Sequence, residues 1–165
     1  MSPSDLSDDV IIRPARIEDA STIVEFNRRL ARETEHRELD PKTIAAGVRA
    51  LLLDATRGRY FVAESGGIVV GQLMHTWEWS DWRNGEIWWL QSVYVTPHHR
   101  GRGVFRRLLE HLRGLAAASP GVVGLRLYVE KENDSAQSTY LKLGMAETSY
   151  IVLEQMLGGG RDEHG

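Results

Sequence analysis

The densest chemistry in the chain lies in Gln91-Ser92-Val93-Tyr94-Val95-Thr96-Pro97-His98-His99-Arg100-Gly101-Arg102-Gly103-Val104-Phe105. Its first residues read as a strand ending at Val95; a short basic loop follows, and helical spacing starts near Gly103. Glycines at 101 and 103 let backbone N–H groups turn toward an anion with no Cβ in the way. The helix N-terminus adds partial positive charge, and Arg100, Arg102, Arg106 and Arg107 add full charges. This is the chemistry of a phosphate or pyrophosphate cradle. No Gly-Lys-Ser/Thr is present, so it is not a Walker loop, and the third glycine of a dinucleotide fingerprint is missing. A glycine loop with solvated arginines ahead of a surface helix has the same composition, and the loop alone leaves that reading open.

A second group is Asn133, Ala136 and Tyr140. Asn133 suits a helix N-cap, and Ala136 and Tyr140, four apart, share a helical face. A small residue beside an aromatic hydroxyl leaves room for a ligand atom; a core tyrosine with a bonded hydroxyl fits the same spacing. A third group is the run from 77 to 89, which holds all five tryptophans: Trp77, Trp79, Trp82, Trp88 and Trp89. Glu78, Asp81 and Glu86 lie among them. Trp77 and Trp79 share one face of a strand, whereas Trp88 and Trp89 point to opposite faces. Three readings stand: sheet packing, a dimer surface, or an aromatic and acidic pocket for a cationic amine, with Trp77, Glu78, Trp79 and Trp82 lining it.

The elements that must position these groups follow from pattern and punctuation. Val10–Arg13 is a strand closed by Pro14, and Glu18-Asp19 opens a helix carrying Ile23, Phe26 and Leu30. Asp40-Pro41 opens a second helix to about Asp54. Strands at Tyr60–Glu64 and from Ile68 to about Trp79 flank the turn Ser65-Gly66-Gly67, and Asp81–Gly85 turns into a strand from Glu86 to Val95. A helix covers about 103–118, Val122–Val129 is a strand, and a helix from Asn133 stops at Gly144. Tyr150–Leu153 is expected as a last strand. The order β-α-α-β-β-β-α-β-α-β describes a mixed α/β domain spanning residues 10–157. Residues 1–9 read as a flexible lead-in and 158–165 as a flexible tail.

Composition bounds the function. The chain has 165 residues, the length of one ordinary domain, with 42% hydrophobic and 26% charged residues. Twenty Lys+Arg against 23 Asp+Glu leave a charge of -3, which does not suggest a nucleic-acid binder. The absence of cysteine excludes disulfides, Cys-ligated zinc and a Cys nucleophile, and no metal site is expected. No apolar run spans a bilayer, and the polar, acidic start is unlike a secretory signal, so a cytoplasmic protein with no membrane partner is expected.

Arg100-x-x-Gly103 at the strand-to-helix junction resembles the acetyl-CoA pyrophosphate loop of the GNAT N-acetyltransferase superfamily. The family pattern is Gln/Arg-x-x-Gly-x-Gly/Ala. Phe105 stands where a small residue is usual, which points to a shifted helix or a partly filled pocket near the phosphates. Ile12-Arg13-Pro14-Ala15 with Asp19-Ala20 is similar to the family's first strand and helix start. Val93-Tyr94-Val95-Thr96-Pro97 resembles the strand that pairs with the pantetheine arm. Asn133-x-x-Ala136-x-x-x-Tyr140-x-x-x-Gly144-Met145 is similar to the second CoA-contacting segment.

The resemblance implies the GNAT acyl-CoA N-acyltransferase fold and an acetyl-CoA-dependent N-acetyltransferase. The acceptor would be a primary amine of a small molecule (polyamine, amino acid or amine antibiotic), attacking directly in a ternary complex. Cofactor contacts would come from Val93, Tyr94, Val95, Arg100, Gly101, Arg102, Gly103, Val104, Phe105, Arg106, Asn133, Ala136 and Tyr140. A strand amide near Val93 or Tyr94 would meet the thioester oxygen. Tyr140 would protonate the leaving thiolate, and Glu86, among Glu78, Asp81 and His75, would be the base. A homodimer is also implied. A protein N-terminal or lysine acetyltransferase, and a non-catalytic acetyl-CoA sensor, remain the alternatives.

Overall fold

The computed structural model describes residues 9–158; the lead-in at 1–8 and the tail from 159 lie outside the described residues. The chain divides into two compact units, Met1–Asn133 and Asp134–Gly165.

The first unit is built on a five-stranded sheet: β1 (Val10–Pro14), β2 (Arg59–Ser65), β3 (Ile68–Ser80), β4 (Gly85–Val95) and β5 (Val122–Leu127), in that spatial order. β1 to β4 pair antiparallel, and β5 joins β4 in parallel after the crossover helix α3 (Val104–Ala118). The helices α1 (Ala20–Glu35) and α2 (Pro41–Leu53) separate β1 from β2. α2 starts where Asp40 accepts the Thr43 N–H at 2.9 Å, with Pro41 as its first residue. Ahead of α1, Arg13 bridges Asp19 and Glu64, both at 2.8 Å, tying β1 to β2 and to the helix entry.

Two neighbours on β2 sort the layers. The Tyr60 hydroxyl accepts from Asn27 of α1 at 3.1 Å, and the Phe61 ring meets His111 of α3 with centroids 5.2 Å apart. Adjacent strand residues point to opposite faces, so α1 and α3 cover opposite sides of the sheet. Ile23, Val48, Tyr60 and Val62 form the core under α1 and α2. On the other side, the repeat expected from spacing holds: α3 buries Val104, Leu108, Leu109, Leu112 and Ala116.

The second unit holds α4 (Asp134–Lys142) and, among the described residues, a segment without regular secondary structure after it. The helix ends where Met145 N–H donates to Tyr140 C=O at 3.1 Å, with Gly144 at φ 97°. The strand expected at Tyr150–Leu153 does not form: those residues have no regular structure, and Leu153 is 85% exposed. A run of four apolar residues carries β propensity, but a strand also needs a hydrogen-bonded neighbour, which sequence alone does not supply.

Candidate active site

β4 is longer than β5 beside it. Its pairing with β5 runs from Glu86↔Val122 to Leu90↔Leu127 and then stops, so Gln91–Val95 continue with no β5 partner. The ladder to β3 also slips there: Met74 faces Gln91 but Gln72 faces Tyr94, which inserts an extra residue on β4 at Ser92–Val93. Ser92 has φ 51°, in the left-handed region that few non-glycine residues enter. Beyond the bulge, Thr96 N–H donates to Val70 C=O at 2.9 Å. N–H groups alternate along an antiparallel ladder, so Val93 and Val95 turn theirs away from β3, toward the side that β5 has left. The result is a half-lined cleft with backbone donors on one wall.

The cleft runs into the glycine loop. Pro97–His99 form a 3₁₀ turn, braced where Thr96 Oγ1 and His99 Nδ1 lie 2.9 Å apart. Gly101 and Gly103 have φ 74° and 82°, and a Cβ on either would project into open space. Glycine is therefore required by backbone conformation rather than by crowding. Gly103 leads into α3 with no side-chain cap, and the first bond to close behind it is Arg107 N–H to Gly103 C=O at 3.0 Å. Val104, Phe105 and Arg106 thus present their N–H groups ahead of the helical ladder. Arg102 and Arg106 are exposed and Phe105 is half-buried. At Gly71 a Cβ would stand 3.1 Å from Val104 Cγ1, so the start of α3 lies tight on β3. Two left-handed glycines, an uncapped helix and exposed arginines fit a pyrophosphate.

Arg100 behaves differently from its neighbours. Its Nε–H donates to Val95 C=O at 2.8 Å, its NH2 reaches Glu33 of α1 at 2.7 Å, and its guanidinium covers the Tyr94 ring. It ties the loop back onto α1, and its charge is already met. Glu33, which no spacing argument singled out, also places Oε1 3.5 Å from the Tyr94 hydroxyl.

Register divides the tryptophan run. Trp77 pairs with Trp88 on the α3 side, where both ring systems surround His75 with centroids 5.1 and 4.3 Å away. His75 is fully buried, and its Nε2 accepts from Arg59 at 3.1 Å. Burial first, and then the Arg59 charge, push its pKa down to about 4. Its basic nitrogen is thus occupied within an aromatic enclosure. Glu78 lies on the other face: it accepts from Trp89 Nε1 at 3.2 Å and pairs with Arg126 of β5 at 2.8 Å. Arg126 covers the Trp89 ring, Tyr128 meets that ring at 4.4 Å, and Gln91 donates to Thr76 close by. Trp79 and Trp82 are exposed, the latter at 88%. The structure therefore separates Trp77 from Glu78 and leaves Trp79 and Trp82 near the hairpin tip, so the four do not line one pocket. Trp89, Gln91, Arg126 and Tyr128 stand with Glu78 instead; only cross-strand register could have grouped them.

Glu86 accepts from Trp88 Nε1 at 3.2 Å. Six residues of extended strand, about 20 Å, separate it from Ser92, so as the base it would act through water. In the second unit, burial of the Tyr140 hydroxyl pushes its pKa up to about 12. Asn133 directly precedes α4, and Ala136 lies in its first turn. Among the described residues no group of His, Asp and Glu could hold a metal ion, and no helix is long and apolar enough to cross a membrane.

Comparison with known proteins agrees with this geometry. Residues 21–145 match the family model described as the acetyltransferase (GNAT) family. A possible acetyltransferase from Clostridium difficile 630 is 46% identical, with a TM-score of 0.85 over 90% of this chain and 97% of its own. The thialysine N-epsilon-acetyltransferase of Bos taurus is 29% identical over 147 residues, covering 82% of this chain and 83% of its own. A predicted acetyltransferase from Clostridium acetobutylicum, whose crystal structure is with acetyl-CoA, shares the fold at a TM-score of 0.73 and 19% identity, over 88% and 96% of the two chains. A glycine-arginine cradle at the end of a splayed strand, on a family match covering most of the sequence, makes this chain a member of the GNAT acetyltransferase family and an acyltransferase.

Proposed function

We propose that the protein transfers an acetyl group from acetyl-CoA to a primary amine of a small molecule, by direct attack in a ternary complex. The observation that carries the reading is the unpartnered, bulged edge of β4 running into the uncapped N-terminus of α3. Acetyl-CoA supplies a thioester, an acyl group already activated toward an amine. In this reading, Arg102, Arg106 and the N–H groups of Val104–Arg106 meet the pyrophosphate. Val95 donates to the pantetheine arm, and the Val93 amide stabilises the oxyanion of the acyl carbonyl. Asn133 and Ala136 complete the contacts, as the family resemblance implies. Arg100 holds the loop in place through Glu33 and Val95 rather than binding phosphate itself.

Tyr140 serves as the acid for the departing thiolate; a pKa near 12 keeps it protonated across the physiological range. The acceptor sits on the face of Glu78 and Trp89, where the carboxylate and the indole ring suit an ammonium group beside the Glu78–Arg126 pair. The relative named for acetylating the ε-amine of thialysine supports a small amine. The reacting amine must be neutral, so its own pKa governs the pH dependence. A second copy packed over Tyr150, Ile151, Val152 and Leu153, all exposed, would account for that apolar run and make the protein a homodimer.

The test is release of free thiol from acetyl-CoA against polyamines, amino acids, aminoglycosides and lysine-bearing peptides. The cysteine-free chain adds no thiol background. Turnover with a small amine supports the reading. Turnover confined to peptides moves the acceptor to protein, and cofactor binding without turnover makes the domain a sensor.

A further inference from the structure

We propose that Gln72 is a positioning residue: it locks the β4 bulge at Ser92 and so aims the Val93 amide at the acyl carbonyl oxygen. The proposal rests on the reading of this cleft as the acyl-donor site. Gln72 lies on β3 opposite Tyr94 and is fully buried. Its Nε2–H donates to the Ser92 carbonyl at 3.0 Å. That carbonyl sits where the β3–β4 ladder breaks, so a side chain supplies the hydrogen bond that a regular ladder would give. Tyr60 of β2, whose buried hydroxyl accepts from Asn27 of α1 at 3.1 Å, lies on the same face of the sheet as Gln72. The Gln72 bond thus falls on a residue at φ 51°, a conformation that persists only where its surroundings enforce it.

The amide of Gln72 is only half used. Its Oε1 is buried with no hydrogen-bond partner, which lowers stability relative to a satisfied group. Packing alone would be met by an apolar side chain of the same volume. What an apolar side chain cannot give is the donor on Ser92. If Ser92 relaxes toward ordinary extended backbone, the following peptide plane rotates and the Val93 N–H leaves the cleft wall.

The experiment compares wild type with Gln72→Leu and Gln72→Glu in the full chain. It measures thiol release at saturating acceptor, and affinity for CoA and for the dethia analogue of acetyl-CoA, in which CH₂ replaces sulfur and the carbonyl is kept. Gln72→Leu should lower kcat roughly tenfold or more. It should weaken the carbonyl-bearing analogue while leaving CoA affinity within about twofold, since the pyrophosphate cradle is untouched. Gln72→Glu, whose buried carboxyl has a raised pKa, donates to Ser92 when protonated and repels it when ionised. Its rate relative to wild type should therefore rise as the pH falls from 8 to 6. Equal loss of both ligands, an unchanged kcat in Gln72→Leu, or a flat Gln72→Glu ratio overturns the proposal. If Gln72→Leu does not fold, the Gln72→Glu ratio decides alone. If wild type binds neither CoA nor the analogue, the donor-site reading fails first and the proposal falls with it.

Discussion

Replacing Gly103 by alanine isolates the conformational demand of the cradle. At φ 82° an alanine pays about 1–2 kcal/mol for left-handed backbone. No clash adds to this, because the new Cβ would meet nothing within 4 Å. The cost can be taken in either of two ways. If the loop keeps its shape, stability falls by that amount. If the loop relaxes, the α3 N–H groups leave their aim and donor binding must restore them. At 1.36 kcal/mol per tenfold, the second case raises the acetyl-CoA KM by about 5–30-fold. Asparagine, which tolerates left-handed backbone, should fall between glycine and alanine. The assay pairs thermal unfolding with KM by thiol release for Gly103→Ala and Gly103→Asn. An alanine variant with both Tm and KM of wild type refutes the argument.

Other outcomes follow from separate observations. Gly114, exposed within α3, should gain about 0.5–1 kcal/mol of stability as alanine with no change in acetyl-CoA KM, read by thermal unfolding beside kinetics. Tyr140→Phe should lower kcat by about 10²-fold or more, and wild type should show no falling limb in its pH–rate profile below pH 10, because the Tyr140 hydroxyl titrates near 12. His75 stays neutral in the folded chain down to about pH 4, whereas in the unfolded chain it binds a proton near 6.5. The unfolded state thus holds the extra proton between those values, and stability should fall as pH drops from 6.5 to 4, by up to about 3 kcal/mol from this group. Denaturant melts across that window should be flatter for His75→Gln.

Much of this architecture is legible in the residues. Asp40-Pro41 and the Leu108, Leu112 repeat place α2 and α3, and the two glycines before Val104 place the cradle, because caps, periodicity and left-handed turns are local. The bulge is not local. Ser92 carries no glycine signal; its carbonyl is met by Gln72, 20 residues earlier. The grouping of Glu78 with Trp89 and Arg126, instead of with Trp77, follows from alternation plus β3–β4–β5 register. Loop composition points Arg100 at a phosphate, and it cannot show the glutamate 67 residues away that Arg100 pairs with in the structure. The apolar run at Tyr150–Leu153 signals burial, and the sequence does not say against what.

The most direct test of the cleft is amide hydrogen exchange on wild type with and without acetyl-CoA. The account predicts protection at Val93 and Val95 on β4, and at Val104, Phe105 and Arg106 at the start of α3. Binding that protects other amides and leaves these five unchanged would contradict it.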